Sequence, residues 1–288
     1  MVWATLRMRS TLTLMKKLLL ACASVCATLV LPGCLQNETT IHLNKDGSGT
    51  LVEETRLGPQ MLAMFDQMAA LGGPDAAKED PVAKMFSEDK AKARATELGD
   101  GVTYDKTEAI NANGSKGARV TYHFKDINTL KITPGDSMKN MSPMAEAKAD
   151  ALKNNATIAF SYTGGNLTIR MPEPPKADGP AAPIGDNPNM PDMDNPDSEA
   201  MVKQMLGDMK LSLKLVAEPG IAESNATYKT ANTVTLMEMD MGKILEKPSA
   251  LKKFGKLDKN NPAAAMQAFK GLDGAKLETQ KEVTVKIK

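Results

Sequence analysis

The chain has 288 residues, with 36 basic and 35 acidic side chains and a formal charge of +1. That near balance excludes the basic excess or stripe of a nucleic-acid-binding surface. The length suits one large domain or two small ones.

In chain order the first element is an apolar run over residues 18–31, preceded by Lys16 and Lys17. A charged start followed by an apolar run of this length is the pattern of a secretory signal. It is shorter than the about 20 apolar residues of a membrane span. Residues 1–14 carry Arg7 and Arg9 and no acid, and Met15-Lys16-Lys17-Leu18 reads as a better start. The run closes on Leu31-Pro32-Gly33-Cys34. Gly33 is small enough for a peptidase to reach the bond before Cys34, and Leu31 supplies an apolar contact. This resembles the lipobox of bacterial lipoproteins, with Pro32 departing from the usual small or aliphatic residue. The resemblance implies cleavage between Gly33 and Cys34 and three acyl chains on Cys34. Each buried CH₂ contributes about 0.8 kcal/mol, so several chains hold firmly.

The cysteine tally agrees with acylation. Cys22 and Cys26 lie in the segment that cleavage removes, leaving Cys34 alone. An exported domain with one cysteine forms no internal disulfide, and acylation removes an otherwise unpaired thiol. Cleavage also removes four basic residues and no acid, so the mature chain stands at −3. Leu35, not an acidic residue, follows the cysteine. By analogy with enterobacterial sorting, that favours the outer membrane. The only tryptophan is Trp3, so the mature chain has none. Sugar-binding grooves often use Trp faces, which argues against a lectin.

Residues 34–39 read as a short tether. Residues 40–44 and 50–54 alternate around Lys45-Asp46-Gly47-Ser48-Gly49, which predicts a hairpin with glycines where φ is positive. Asn44, Asp46 and Ser48 imitate the opening of an EF-hand loop, but its twelfth position, which should be Glu, is Thr55. A plain turn is expected. Met61, Leu62, Phe65, Met68 and Leu71 have helical spacing. Asp80 and Pro81 open a second helix running to Leu98, with Asp80 as cap. Strands are expected at 102–110 and 117–124. In the latter, Val120, Tyr122 and Phe124 share one face, and Arg119, Thr121, His123 and Lys125 share the other.

Beyond a polar stretch at 133–155, with a short helix after Ser142-Pro143, residues 157–162 and 166–171 form another hairpin around Gly164-Gly165. Residues 172–197, rich in Pro, Asp and Asn, read as a disordered insertion. A helix follows from Asn195-Pro196, then strands at 211–215 and 232–239. Short helices are expected at 244–254 and 262–269, and a last strand at 281–288 with Val283, Val285 and Ile287 on one face. Strands broken by helices without βαβ alternation predict an α+β fold, a mainly antiparallel sheet with several short helices packed on it. The parts are a signal at 1–33, the tether at 34–39, and one ectodomain in two segments, 40–171 and 198–288.

Three stretches taken together, residues 40–57, 117–130 and 211–240, resemble the LppM-like family of bacterial envelope lipoproteins. The last contains Pro219-Gly220, Ser224-Asn225-Ala226 and Asn232-Thr233-Val234-Thr235. The resemblance implies an α+β ectodomain outside the cytoplasmic membrane and a role in binding lipid or an envelope component. It brings no catalytic residues. The chain departs from the family in the insertion and in lacking a C-terminal membrane helix.

Candidate chemistry is sparse. His42 and His123 each fall opposite the apolar face of their strand. Gly135-Asp136-Ser137 imitates a GDS-type esterase, but that chemistry needs a downstream histidine and both histidines lie upstream. Ser249 with Lys252 and Ser87 with Lys90 fit S-x-x-K, a pattern that means little without S-D-N or K-T-G. Met138, Met141 and Met144 stand three apart, Met190 and Met193 likewise, and Met237, Met239 and Met241 alternate. Soft thioethers suit Cu(I), while methionine also fills irregular cores.

The sequence therefore predicts a non-enzymatic, lipid-anchored envelope protein. It is held to the membrane by acyl chains on Cys34, uses no other cofactor, and binds a lipid or an envelope protein near the bilayer. Periplasmic Cu(I) binding through methionines and a structural scaffold are the alternatives. Replacing Cys34 by Ala is expected to release a soluble protein on cell fractionation; a variant still in the membrane pellet contradicts this reading of the motif.

Overall fold

Strand β1 (Leu35–Leu43) buries Leu35, Asn37, Thr39, Ile41 and Leu43 on one face. It begins at Leu35, so residues 35–39, expected to be tether, are strand. Asn37 and Thr39 interrupt the apolar alternation there, which hid the strand in the sequence. Inside the sheet the Asn37 side-chain amide donates to Thr55 Oγ1 at 2.8 Å, which satisfies both groups.

The structure, a computed structural model, describes residues 35–71, 80–133, 157–172, 200, 202–203, 206–247 and 269–288. All lie in the unit Gly33–Lys288. The signal, Gly33 and Cys34, the helix expected after Ser142-Pro143 and the insertion beyond Pro172 fall outside the described residues.

The expected hairpin joins β1 to β2 (Gly49–Leu57), with Ile41 opposite Leu51 and Leu43 opposite Gly49. Strands β3 (Thr103–Ala112) and β4 (Ser115–Phe124) form a second hairpin, and β4 lies antiparallel to β2. On the other side β1 pairs in parallel with β7 (Lys210–Ala217), which carries β9 (Thr233–Asp240) and then β10 (Ala275–Leu277). The resulting seven-stranded sheet runs β10-β9-β7-β1-β2-β4-β3. A second sheet of four strands has the order β5 (Ala159–Thr163), β6 (Asn166–Arg170), β11 (Glu282–Ile287), β8 (Ile221–Ser224). The fold is α+β, as the sequence predicts. Strands β8 and β10 are too short to show alternation and were not anticipated.

Among the described residues the helices include α1 (Pro59–Leu71), α2 (Pro81–Met85), α3 (Glu88–Leu98) and α4 (Met241–Leu245). Asp80 caps α2 as expected, accepting from the amides of Val82 and Ala83. The helix expected to run on to Leu98 breaks at Ser87, which is extended and precedes α3. Ser there, followed by Glu88 and Asp89 in the first turn, is a helix-start signal. It divides one predicted helix into two.

The inward face of the large sheet is apolar at both ends and polar between. At the end where β1 meets β2 through the turn, Ile41, Leu43, Leu51, Tyr122 and Phe124 share one core with Leu167, Ile169, Val283 and Val285 of the second sheet and with Ala95 and Leu98 of α3. At the Leu35 end, Leu35, Leu57, Phe65 and Val82 form a separate cluster with Met61 and Leu62. Between them lie Asn37, Thr39 and Thr55, and Arg94 of α3 bonds Glu53 at 3.1 Å. Met237, Met239 and Met241 pack with Ile244, Leu245 and Leu277 in a third cluster. The alternating methionines are therefore core-filling side chains. The outward face is polar and carries ion pairs such as Arg119–Glu54 and Lys276–Glu238.

Glu278 ties the two sheets together. It is 5% exposed, and its carboxylate accepts from the amides of Thr227, Thr279 and Gln280 and from the Thr227 hydroxyl, at 2.7–2.9 Å. Burial alone would raise its pKa, but the Gln280 amide, the Thr227 hydroxyl and the two other amides outweigh it and hold the carboxyl below its ordinary 4.5. A folded-state pKa below the unfolded one gives stability that is complete above the unfolded value and is lost as pH falls through the folded one. Glu278→Gln is therefore expected to lose about 1.5–3 kcal/mol at neutral pH in urea denaturation. The gap between variant and parent should close as pH drops below 4.5.

Candidate functional site

The β1–β2 turn is built by its own side chains. Asp46 accepts from the Ser48 hydroxyl at 2.6 Å and the Ser48 amide at 3.0 Å, and these bonds lower the Asp46 pKa. Thr55, the position a calcium loop would fill with Glu, instead bonds Asn37 inside the sheet. The plain turn expected from the sequence is what forms.

Gly47 adopts φ +90, which L side chains rarely adopt. A Cβ there would stand 2.9 Å from the Tyr162 ring. That ring crosses from the second sheet, and its hydroxyl donates to the Lys45 carbonyl at 2.6 Å. The Gly47 carbonyl accepts from the Ile127 amide at 2.9 Å, at the start of a short 3₁₀ helix (Ile127–Thr129). Asn128 in that helix clasps the backbone of Tyr162: its Oδ1 accepts from the Tyr162 amide at 2.6 Å, and its Nδ2 donates to the Tyr162 carbonyl at 3.3 Å. Three loops distant in sequence are thereby locked together.

They enclose an open cleft of about 640 Å³. Its walls are Lys45 and Asp46 of the β1–β2 turn, Lys125, Asp126 and Asn128 after β4, the β5–β6 turn from Tyr162 to Gly165, and Ile287 and Lys288 at the end of β11. Both carboxylates are engaged: Asp46 by Ser48, and Asp126 as the cap that accepts from the Asn128 amide at 2.9 Å. Lys45, Lys125 and Lys288 form no ion pair among the described residues. By contrast, Lys92, Lys106, Lys116, Lys210, Lys214 and Lys276 each pair with a carboxylate at 3.3 Å or less. The cleft is thus lined by three lysines and two acids, the acids bonded within local turns and the Asn128 amide within its clasp on Tyr162. Lysine side chains are hydrogen-bond donors of the kind that suit an anionic or polyhydroxylated group.

The residues singled out in the sequence lie elsewhere. His42 and His123 sit on the outward face, on either side of Thr50, as their strand positions predict. His42 Nδ1 is 2.7 Å from Glu218 Oε1, and His123 Nε2 is 3.5 Å from Asp105 Oδ2. Ser87 precedes α3, with Lys90 exposed on its first turn. Met138, Met141, Met144, Met190, Met193, Ser137 and Ser249 lie outside the described residues. No group of His, Cys, Asp and Glu suited to a metal occurs among the described residues.

Lys45, Lys125 and Lys288 escaped the sequence reading because they are distant along the chain and sit in three different turns or strand ends. Only Lys125 carried a signal, the solvent-facing parity of β4.

Neither a family model nor a curated protein matches this chain. The folded domain of LppM from Mycobacterium tuberculosis, solved by NMR, aligns over 75% of this chain and 88% of its own, at 11% identity and a TM-score of 0.30. A likeness this loose carries no argument about fold or activity.

The cleft depends on the Gly47–Tyr162–Asn128 contact. Asn128→Ala removes both bonds of the clasp and is expected to cost about 1–2 kcal/mol in urea denaturation. Gly47→Ala should cost at least as much, since it meets both an unfavourable φ and the Tyr162 ring. A Gly47→Ala protein as stable as the parent would show that the turn is not held as described.

Proposed function

We propose that this chain is a lipid-anchored, non-enzymatic protein of the bacterial cell envelope, akin to the LppM-like lipoproteins. Its ectodomain binds an anionic group, carried by a lipid headgroup or an envelope partner, in the Lys45–Lys125–Lys288 cleft. The observation that supports this reading is that three lysines from separate turns and strand ends, none in an ion pair among the described residues, line one concave site. Polar walls favour a headgroup or charged polymer over an acyl chain, which would need an apolar lining. The Cys34 motif supports placement at a membrane, and the near-neutral chain leaves local charge, not net charge, to do the recognition.

Binding can be measured with phosphatidylglycerol vesicles, phosphatidylcholine vesicles and inorganic polyphosphate. The Cys34→Ala protein, without acyl chains, serves as the parent and is expected to bind the anionic vesicles or the polyphosphate more tightly than phosphatidylcholine, with affinity falling as salt rises. Changing Lys45, Lys125 and Lys288 together to Gln should weaken binding by about 1 kcal/mol per lysine. A triple variant that binds as tightly as the parent, or a parent that binds neither anion, would sink the proposal.

A further inference from the structure

Helix α1 stands apart from its neighbours in composition. Its sequence, PQMLAMFDQMAAL, has one charged residue, Asp66, whereas α3 has six charged residues in eleven. Phe65 turns inward and is buried with Leu35, Leu57 and Val82. Met61 and Leu62 are half-buried beside it, and Ala63 and Met64 face outward with Gln60 and Gln67. Met64 is 47% exposed, and among the described residues it is the exposed large apolar side chain. A water-facing helix surface normally carries several charges; this one offers Ala, Met and Gln with the single charge of Asp66.

The position of that surface says what covers it. Leu35 pairs with Leu57 across the β1–β2 ladder, and α1 begins two residues after Leu57. Leu35 is the residue next to Cys34. Acyl chains on Cys34 therefore leave the chain one residue from the strand end that α1 packs on. Met61, Leu62, Ala63 and Met64 are then carried to the bilayer by covalent linkage. The cleft lies past the other end of β1: Lys45 is ten residues from Leu35 along a nearly continuous strand, about 30 Å away.

We propose that the outward face of α1, centred on Met64, rests on the bilayer that holds the Cys34 anchor. It acts as a second, non-covalent membrane contact that stands β1 upright and turns the lysine cleft away from that bilayer. Three acyl chains hold the terminus firmly; a helix with a single charge beside that terminus supplies orientation. This goes beyond the proposed function and rests on its anchor. It also assigns the cleft a source of ligand: an anion presented from the far side, not a headgroup of the anchoring leaflet.

The absence of tryptophan after Trp3 permits a clean test. In a Trp3→Phe background, Met64→Trp and Thr163→Trp place single indole reporters on α1 and at the cleft. Each full-length protein is expressed, recovered from the membrane fraction and reconstituted in phosphatidylglycerol–phosphatidylcholine vesicles with or without brominated acyl chains. The indole of the Met64→Trp protein is expected to emit at shorter wavelength than that of the Thr163→Trp protein. The brominated lipid should quench it at least about twofold more, as for a side chain about 5–10 Å into the interface. Gln67→Trp, on the same exposed face, serves if Met64→Trp misfolds and should behave like it. Membrane-bound Met64→Trp and Gln67→Trp proteins that both emit as in water and escape quenching overturn the inference alone. Protein absent from the membrane fraction overturns it together with the anchor.

Discussion

Strand β1 is hydrogen-bonded on both flanks, antiparallel to β2 and parallel to β7, and every inward position from Leu35 to Leu43 is buried. A slip of one residue on either side would turn Ile41 and Leu43 to water and bring Glu38 and His42 inside, so this register is the constraint on which the other strands depend. With β1 seated, β4 follows on β2 and β9 on β7. The inward face of the sheet then presents one continuous surface for β6, β11 and α3 to cover.

The same strand separates the molecule's two kinds of surface. Its first residue lies with Leu57 and Phe65 in an apolar cluster, and its last leads into the turn that carries Lys45. Between them the inward face turns polar. Asn37 bonds Thr55, and Arg94 bonds Glu53. Such buried pairs contribute little net stability, but each is costly to leave half-made, so they penalise alternative pairings. The apolar cluster at Leu35 and the lysine-lined cleft thus stand at opposite ends of one strand.

The cleft is built from groups that are individually ordinary. Asp46 and Asp126 bond within local turns, Tyr162 and Asn128 hold the walls together, and Lys45, Lys125 and Lys288 line it without an ion pair among the described residues. The three lysines outnumber the two carboxylates by one, and Ser48 holds Asp46 ionised, so the positive excess of the cleft is small and local. The histidines and the alternating methionines, more conspicuous in the sequence, turn out to occupy the outward sheet face and a packed apolar cluster.

Alternation in β2, β4, β6, β7 and β11, the glycine turns and the Asp80-Pro81 helix start were legible in the chain because each depends on neighbours within a few residues. The α+β class followed from them. The start of β1 at Leu35 was not legible, since Asn37 and Thr39 look like surface residues until Thr55 comes opposite. Nor was the break at Ser87, whose extended backbone interrupts a continuing helical pattern although its side chain makes no capping bond. The short strands β8 and β10 and the parallel β1–β7 pairing were also hidden, because pairing between segments so far apart leaves no local trace. The sequence by itself determined the local elements. Only tertiary structure decided that Lys45, Lys125 and Lys288 share a cleft, because the two sheets must first close on one another, and that α1 lies beside Leu35, because Phe65 must first pack on the β1–β2 pair.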